Sequence, residues 1–207
     1  MISGCWNEIT DGIVDGAHDC GIDGIWTFVD ERYITADAHQ FLPSRAGKIE
    51  LVILQAENSS GYQESVIEKL HFHLPALLDM GRDEEYLVAH TNAKLLQRTR
   101  RFLHILKELA SSFPQVRIKV TYANKSAEAP HPNVKAKGDR LRRQLAKITS
   151  DTRADLEYLS AADLRERTAR GARSVAQLTT ASSRPITKRC AWSCSSPTCA
   201  TTRGLRP

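Results

Sequence analysis

From Lys48 to Glu57 the chain reads K-I-E-L-V-I-L-Q-A-E. Ile49 to Leu54 is almost continuously apolar and too short for a core helix, which predicts a strand buried on both faces near the middle of a sheet. Gln55 and Glu57 stand two residues apart at its end. On a strand they project from one face and offer a carbonyl oxygen and a carboxylate. Upstream, Asp15 to Asp30 reads D-G-A-H-D-C-G-I-D-G-I-W-T-F-V-D, a glycine-bounded acidic loop feeding a second strand, Ile25 to Val29. The glycines around Asp23 let the backbone turn sharply and present its carboxylate at the mouth of that strand. Asp beside Gly is also an ordinary turn signature. The Q-x-E on a buried strand downstream is what favours a site.

Beyond Glu57, Asn58 to Gly61 break the pattern. Tyr62, Val66, Leu70, Leu74 and Leu77 then recur at helical spacing, with Pro75 bending the last turns. A second helix is expected from about Asn92 to Ser111, with Leu95, Phe102, Leu106 and Leu109 inward and Arg98, Arg100, Arg101 and Lys107 on its outer face. Val116 to Tyr122 alternates as V-R-I-K-V-T-Y, a strand with one wet side. A proline-bearing connector over Ala127 to Asn133 leads to a helix from about Val134 to Ile148. A short strand, Ala154 to Leu159, and a closing helix from Ala161 to about Arg170 complete the order. Strand alternating with helix predicts an α/β fold with a mixed central sheet flanked by helices.

The 207 residues carry a formal net charge of +5, but all 24 acids lie at or before Glu166. Residues 1–57 hold ten acids and three bases, and residues 58–171 fourteen acids and twenty bases. An acidic region beside a basic one suits a metal and a polyanion, and it equally fits ordinary solvated helix faces. Residues 1–171 are therefore expected to form one domain. Residues 172–207, free of acids and with twelve Ser or Thr after residue 173, are expected to be a disordered basic tail. The abrupt change suggests an out-of-frame extension of a truncated gene, a reading that an uninterrupted frame in the genomic locus removes. No apolar run approaches the roughly 20 residues of a membrane span, and Glu8, Asp11 and Asp15 do not suit a signal peptide, so a cytoplasmic protein is expected.

Five cysteines without a paired C-x-x-C argue against structural zinc. The seven histidines show no ligand spacing. Without a phosphate loop or a nucleophile elbow, ATPase and serine hydrolase chemistry have no support. Asp23, Gln55 and Glu57 together are hard oxygen donors suited to Mg²⁺ or Mn²⁺. Lys135, Lys137, Arg140, Arg142, Arg143 and Lys147 make the helix after the connector the candidate contact for a nucleic-acid backbone, DNA above all, or simply a solvated face.

The Asp23 and Q-x-E arrangement resembles the PD-(D/E)xK nuclease superfamily. From about Asn7 to Arg170 the chain is similar to the N-terminal region of the abortive-infection phage-resistance (AIPR) family. The stretches that carry the likeness are N-E-I-T-D-G-I-V-D-G-A-H-D-C-G-I-D-G-I-W-T-F-V-D, K-I-E-L-V-I-L-Q-A-E-N-S-S-G-Y-Q-E-S-V-I-E-K-L, V-R-I-K-V-T-Y and A-D-L-E-Y-L-S-A-A-D-L. The resemblance implies a restriction-endonuclease-like fold, a metal-dependent nuclease and a role in phage defence. Asp23 would be the metal-binding aspartate, Gln55 the second motif residue and Ala56 the spacer. Two departures stand out. Cys20 occupies the place of the first of two glycines, which implies strain in the turn, and Glu57 occupies the place of the catalytic lysine. A glutamate there adds repulsion toward a phosphate, which implies impaired hydrolysis, or a non-catalytic nucleic-acid-binding module on the same fold. Lys69 or Lys48 could supply the missing cation. Only Glu8 stands in for the acid that related nucleases draw from a helix ahead of the turn.

Overall fold

The structure, a computed structural model, describes residues 9–14, 16–35 and 42–169. The chain divides into two units, Met1–Arg167 and Thr168–Pro207, and every strand belongs to the first. The tail expected from residue 172 lies outside the described residues, as does Glu8. After a helical turn over 9–12 come β1 (Gly24–Val29), β2 (Arg32–Tyr33), β3 (Lys48–Glu57), α1 (Glu64–Leu77), α2 (Glu84–His90), α3 (Ala93–Glu108), β4 (Gln115–Asn124), α4 (Pro132–Leu145) and β5 (Thr152–Leu159). A closing helix, α5, covers 161–169. The sheet order is β2-β1-β3-β4-β5. β1 runs antiparallel to β3, while β3, β4 and β5 are parallel. The fold is thus α/β, with a mixed five-stranded sheet flanked by helices, as the order of elements predicts.

β3 occupies the middle, and Ile49, Leu51 and Ile53 on one of its faces are 0% exposed. Both parallel crossovers, β3 to β4 and β4 to β5, step across the sheet in the same direction. Right-handed crossovers then put their helices on the same face. Buried Ile67, Leu70 and Leu74 of α1, Phe102 and Ile105 of α3 and Leu141 of α4 join the β3 residues in one core. α4 lies so close to β5 that a Cβ on Gly138 would come within 2.2 Å of the Tyr158 hydroxyl. The other sheet face is wetter. There Arg117 pairs with Asp155 at 2.7 Å and Lys119 with Glu157 at 3.2 Å across neighbouring strands, the wet side that the V-R-I-K-V-T-Y alternation predicts.

Two elements escape the sequence reading. β2 is a two-residue strand that returns from β1 through Asp30 and Glu31, both at positive φ (45° and 69°), the conformation of a tight primed hairpin turn. The Asp30 carboxylate accepts hydrogen bonds from the Gly47 and Lys48 amides, tying that turn to the start of β3. α2 buries no residue, so it has no apolar period to read. Its start is set by Asp83, whose side chain accepts from the Glu85 amide as an N-cap.

The outer face expected for α3 is corrected at two positions. Arg98 is 9% and Arg101 5% exposed. Asp11, on the helical turn 9–12, accepts from Arg101 at 3.1 Å and from Arg98 at 3.4 Å, and from the Tyr33 hydroxyl. Arg101 also donates to the Ile34 carbonyl at 3.0 Å. A buried guanidinium is tolerable only with such partners, and these lie 67 to 90 residues away in the chain. Burial pushes the Asp11 carboxyl up, and the Tyr33 hydroxyl together with the two guanidiniums more than reverses this, leaving it below its ordinary value. A lowered carboxyl contributes stability that is present above its unfolded value near pH 4 and is lost as pH falls through the folded one. Asp11→Asn is expected to cost about 2–3 kcal/mol at pH 7 and to flatten the loss of stability on acidification. Urea unfolding at pH 7 and pH 3 measures both.

Candidate functional site

The carboxyl ends of β3 and β4 and the turn ahead of β1 meet at one edge of the sheet. Gly24 pairs with Leu54, so Asp23 stands one step beyond the ladder, where β3 continues to Gln55. The Asp23 amide donates to the Leu54 carbonyl at 2.9 Å, and its Oδ2 accepts from the Ala56 amide at 2.5 Å. The carboxylate is therefore fixed beside the Q-A-E segment. The turn that delivers it uses left-handed backbone at His18 (φ 61°), Cys20 (φ 57°) and Gly21 (φ 74°). Only the last favours its residue, and Cys20 holds a left-handed conformation that its Cβ makes costly. Cys20 is buried, and that burial raises its thiol above the ordinary pKa.

Gly21 passes close to both Gln55 and Lys69. A Cβ there would lie 3.8 Å from Gln55 Oε1 and 3.7 Å from Lys69 Cβ. Gln55 is 9% exposed, and its Oε1 is buried without a hydrogen-bond donor. Such an orphaned acceptor costs about 1–3 kcal/mol. Lys69, on the second turn of α1, is exposed and makes no ion pair among the described residues. Lys48 lies at the opposite end of the ten-residue β3 and pairs with Glu50 at 2.6 Å. At about 3.3 Å per residue it is roughly 30 Å from position 57, which removes it as a substitute for the lysine.

Glu57 shares the Gln55 face by strand alternation. Its Oε2 accepts from the Tyr122 hydroxyl at 2.7 Å and the Ser59 hydroxyl at 3.3 Å. The Tyr122 oxygen in turn accepts from the Gln63 amide at 3.1 Å, so this fully buried tyrosine links the end of β3 to the start of α1. Tyr62 packs edge-on to it and to Tyr158, with ring centroids 5.2 Å apart for Tyr62–Tyr122 and 5.3 Å for Tyr62–Tyr158. Tyr122 escaped the sequence reading as a site residue. The parity of V-R-I-K-V-T-Y places it on the buried face, but its register opposite Gln55 is a tertiary fact.

A cation at this edge would find the Asp23 carboxylate, the Gln55 carbonyl and the Glu57 carboxylate, with water completing its shell as Mg²⁺ prefers. The orphaned Gln55 oxygen fits that donor set. Among the described residues no cluster of three or more His, Cys, Asp or Glu side chains is assembled, so amide and water oxygens would have to supply much of the shell.

Of the basic residues on and after α4, Lys137 reaches both Glu64 and Glu68 of α1 at 2.5 Å, and Arg142 pairs with Asp139 at 3.5 Å. Lys135, Arg140, Arg143 and Lys147 are exposed. α4 follows the carboxyl end of β4, and its Val134 carbonyl accepts from Tyr158. Its first turn therefore borders the site. Arg140, Arg142, Arg143 and Lys147 descend toward the opposite edge, the last roughly 20 Å along the helix axis.

No protein-family model matches this chain, and neither a curated protein nor a solved structure is similar to it. Among the described residues no helix is long and apolar enough to cross a membrane.

Tyr122→Phe removes the donor to Glu57 and the acceptor for the Gln63 amide, with an expected loss of about 1–3 kcal/mol. Burial, with Glu57 opposing ionisation, holds the Tyr122 hydroxyl far above the ordinary tyrosine value. A raised phenol contributes stability that is present below about pH 10 and lost as pH rises beyond it. Thermal melts from pH 7 to pH 11 should fall less steeply above pH 10 in Tyr122→Phe than in the parent.

Proposed function

We propose that the unit Met1–Arg167 is a restriction-endonuclease-like domain carrying a metal-dependent phosphodiesterase site, and that it serves phage defence in the manner of the AIPR proteins it resembles. The observation that carries this reading is the Gln55 carbonyl oxygen, buried without a donor at the end of β3, where the next residue's amide, that of Ala56, holds the Asp23 carboxylate. A buried polar atom with no partner asks for a ligand, and an acceptor next to a carboxylate asks for a cation. The mixed sheet, with Asp23 at the mouth of β1 and Gln55 and Glu57 at the end of β3, is compatible with that fold.

Asp23 and Gln55 hold the divalent cation, with Glu57 at its margin. When bound, Mg²⁺ or Mn²⁺ supplies charge stabilisation to a scissile phosphate and a more acidic water. Lys69, across the Gly21 turn from Gln55, offsets charge on that phosphate in place of the missing lysine. Lys135 and Lys137 at the near end of α4, and Arg140, Arg142, Arg143 and Lys147 farther along it, contact the backbone of DNA without reading bases.

One observation favours a second reading. The carboxylate at position 57 is tied to Tyr122 and Ser59, a structural use of the place where a lysine would do chemistry. On that reading the domain binds nucleic acid and does not cleave it.

Calorimetric titration of Mn²⁺, paired with a supercoiled-plasmid nicking assay, separates the two. Metal binding lost in Asp23→Ala, with nicking lowered on the order of 100-fold in that variant and about 10-fold in Lys69→Met, is the expected result. Salt-sensitive DNA affinity that survives Asp23→Ala, with no cleavage, selects the binding module. Absence of Mn²⁺ binding in a cooperatively melting protein overturns the nuclease reading.

A further inference from the structure

Between the second half of α1 and α2 lies a hollow of about 310 Å³, a volume that suits a small planar ligand. Its aromatic and polar lining is Phe72, His73, Asp79, Arg82, Tyr86 and His90. Several of these planar groups hold one another in place. The Arg82 guanidinium lies 4.7 Å over the Tyr86 ring, and His90 stacks on that ring with 4.4 Å between centroids and 24° between planes. His90 Nδ1 also donates to the Tyr86 carbonyl at 2.8 Å. On α1, the Phe72 and His73 rings stand at 88° to each other, 5.0 Å apart.

What this lining leaves unused is a set of flat faces and ring-edge groups. Phe72 is 68% exposed. The side chains of His73 and Arg82 make no hydrogen bond or ion pair among the described residues. Burial, with Lys69 nearby, holds the His73 imidazole below its ordinary pKa, so at pH 7 it is neutral and offers one donor and one acceptor. Asp79 already accepts from the Gly81 amide at 2.9 Å. The hollow also adjoins the Asp23 turn. Asn92, two residues beyond α2, donates through its amide to the His18 carbonyl at 2.7 Å. The same turn passes Lys69 at Gly21, and His73 follows Lys69 by four residues, on the same face of α1 and about 6 Å farther along it.

We propose that this hollow receives an unpaired nucleobase of single-stranded DNA, the base next to a phosphate at Lys69. Phe72 and the Arg82 guanidinium supply stacking faces, and His73 meets the edge of the base. Stacking on aromatic rings and guanidinium planes accepts any base, since each has a π face. A base inside a duplex is not available for it, because both its faces are covered by its neighbours. The substrate of the proposed nuclease is then a single strand or an unpaired end. The placement beside a scissile phosphate rests on the metal reading of Asp23 and Gln55; the stacking contact does not.

The test is an anisotropy titration of the whole chain against a fluorescein-labelled oligothymidylate and an abasic strand of the same length, in EDTA-containing buffer. The two probes carry the same phosphates and differ in their bases. The expected result is binding about tenfold or more tighter to the oligothymidylate. In the double variant Phe72→Ala/Arg82→Lys that preference should disappear while affinity for the abasic strand is kept, since the charge at position 82 is retained. Both residues are exposed, so the variant should melt like the parent. Equal affinity of the parent for the two strands overturns the proposal. So does a preference that survives the double variant, or a loss that falls equally on both strands. Because EDTA removes the cation, a preference for bases in a protein that takes no Mn²⁺ supports the hollow while the metal reading fails, and Mn²⁺ binding without that preference does the reverse.

Discussion

The burial of one face of β3 is the constraint on which the other elements depend. Ile49, Leu51 and Ile53 are wholly removed from water, and at about 25 cal/mol per Å² of apolar surface such a strand is stable only with neighbours on both edges and helices above. The parallel pairing to β4 and then to β5 supplies the edges on one side. Because both crossovers step in the same direction, α1, α3 and α4 stack on the single face where those isoleucines and leucine point. The opposite face keeps charged side chains and satisfies them across strands, Arg117 with Asp155 and Lys119 with Glu157.

That one-sided stacking also builds the site. All three parallel strands end at the same edge, and the helices that follow them start there, so polar residues at strand ends collect at one rim. Two amide side chains at this rim are buried with an atom unpaired, an acceptor on Gln55 and a donor on Asn124. Other buried polar groups are answered, Arg101 by Asp11 and the Ile34 carbonyl, Thr99 by the Leu95 carbonyl, Tyr122 by Glu57 and the Gln63 amide, while Arg98 Nε and Gln144 Oε1, away from the rim, also lack a partner.

The strands and the long helices were legible because their patterns are local. Five apolar residues among the six from Ile49 to Leu54 identify β3, period two identifies β4, and Leu95, Phe102 and Leu106 at helical spacing identify α3. β2 and α2 were not, since two residues carry no period and a helix that buries nothing has no stripe. Arg98 and Arg101 read as surface charges because charge usually means solvent. Their burial follows from Asp11, which arrives from the far end of the domain. Within the site, the shared face of Gln55 and Glu57 follows from spacing alone, and Asp23 was singled out by its glycines.

The order of elements, the α/β class, the buried character of β3 and the chemical types gathered at its end are properties of the sequence, because side-chain period and backbone propensity are set within a few residues. Register and proximity belong to the tertiary structure. Only packing places Lys69 across a glycine from Gln55, turns Glu57 toward Tyr122 and separates most of the α4 arginines from the rim. These are contacts between residues tens of positions apart, and their partners are selected by the closure of the core rather than by any neighbour in the chain.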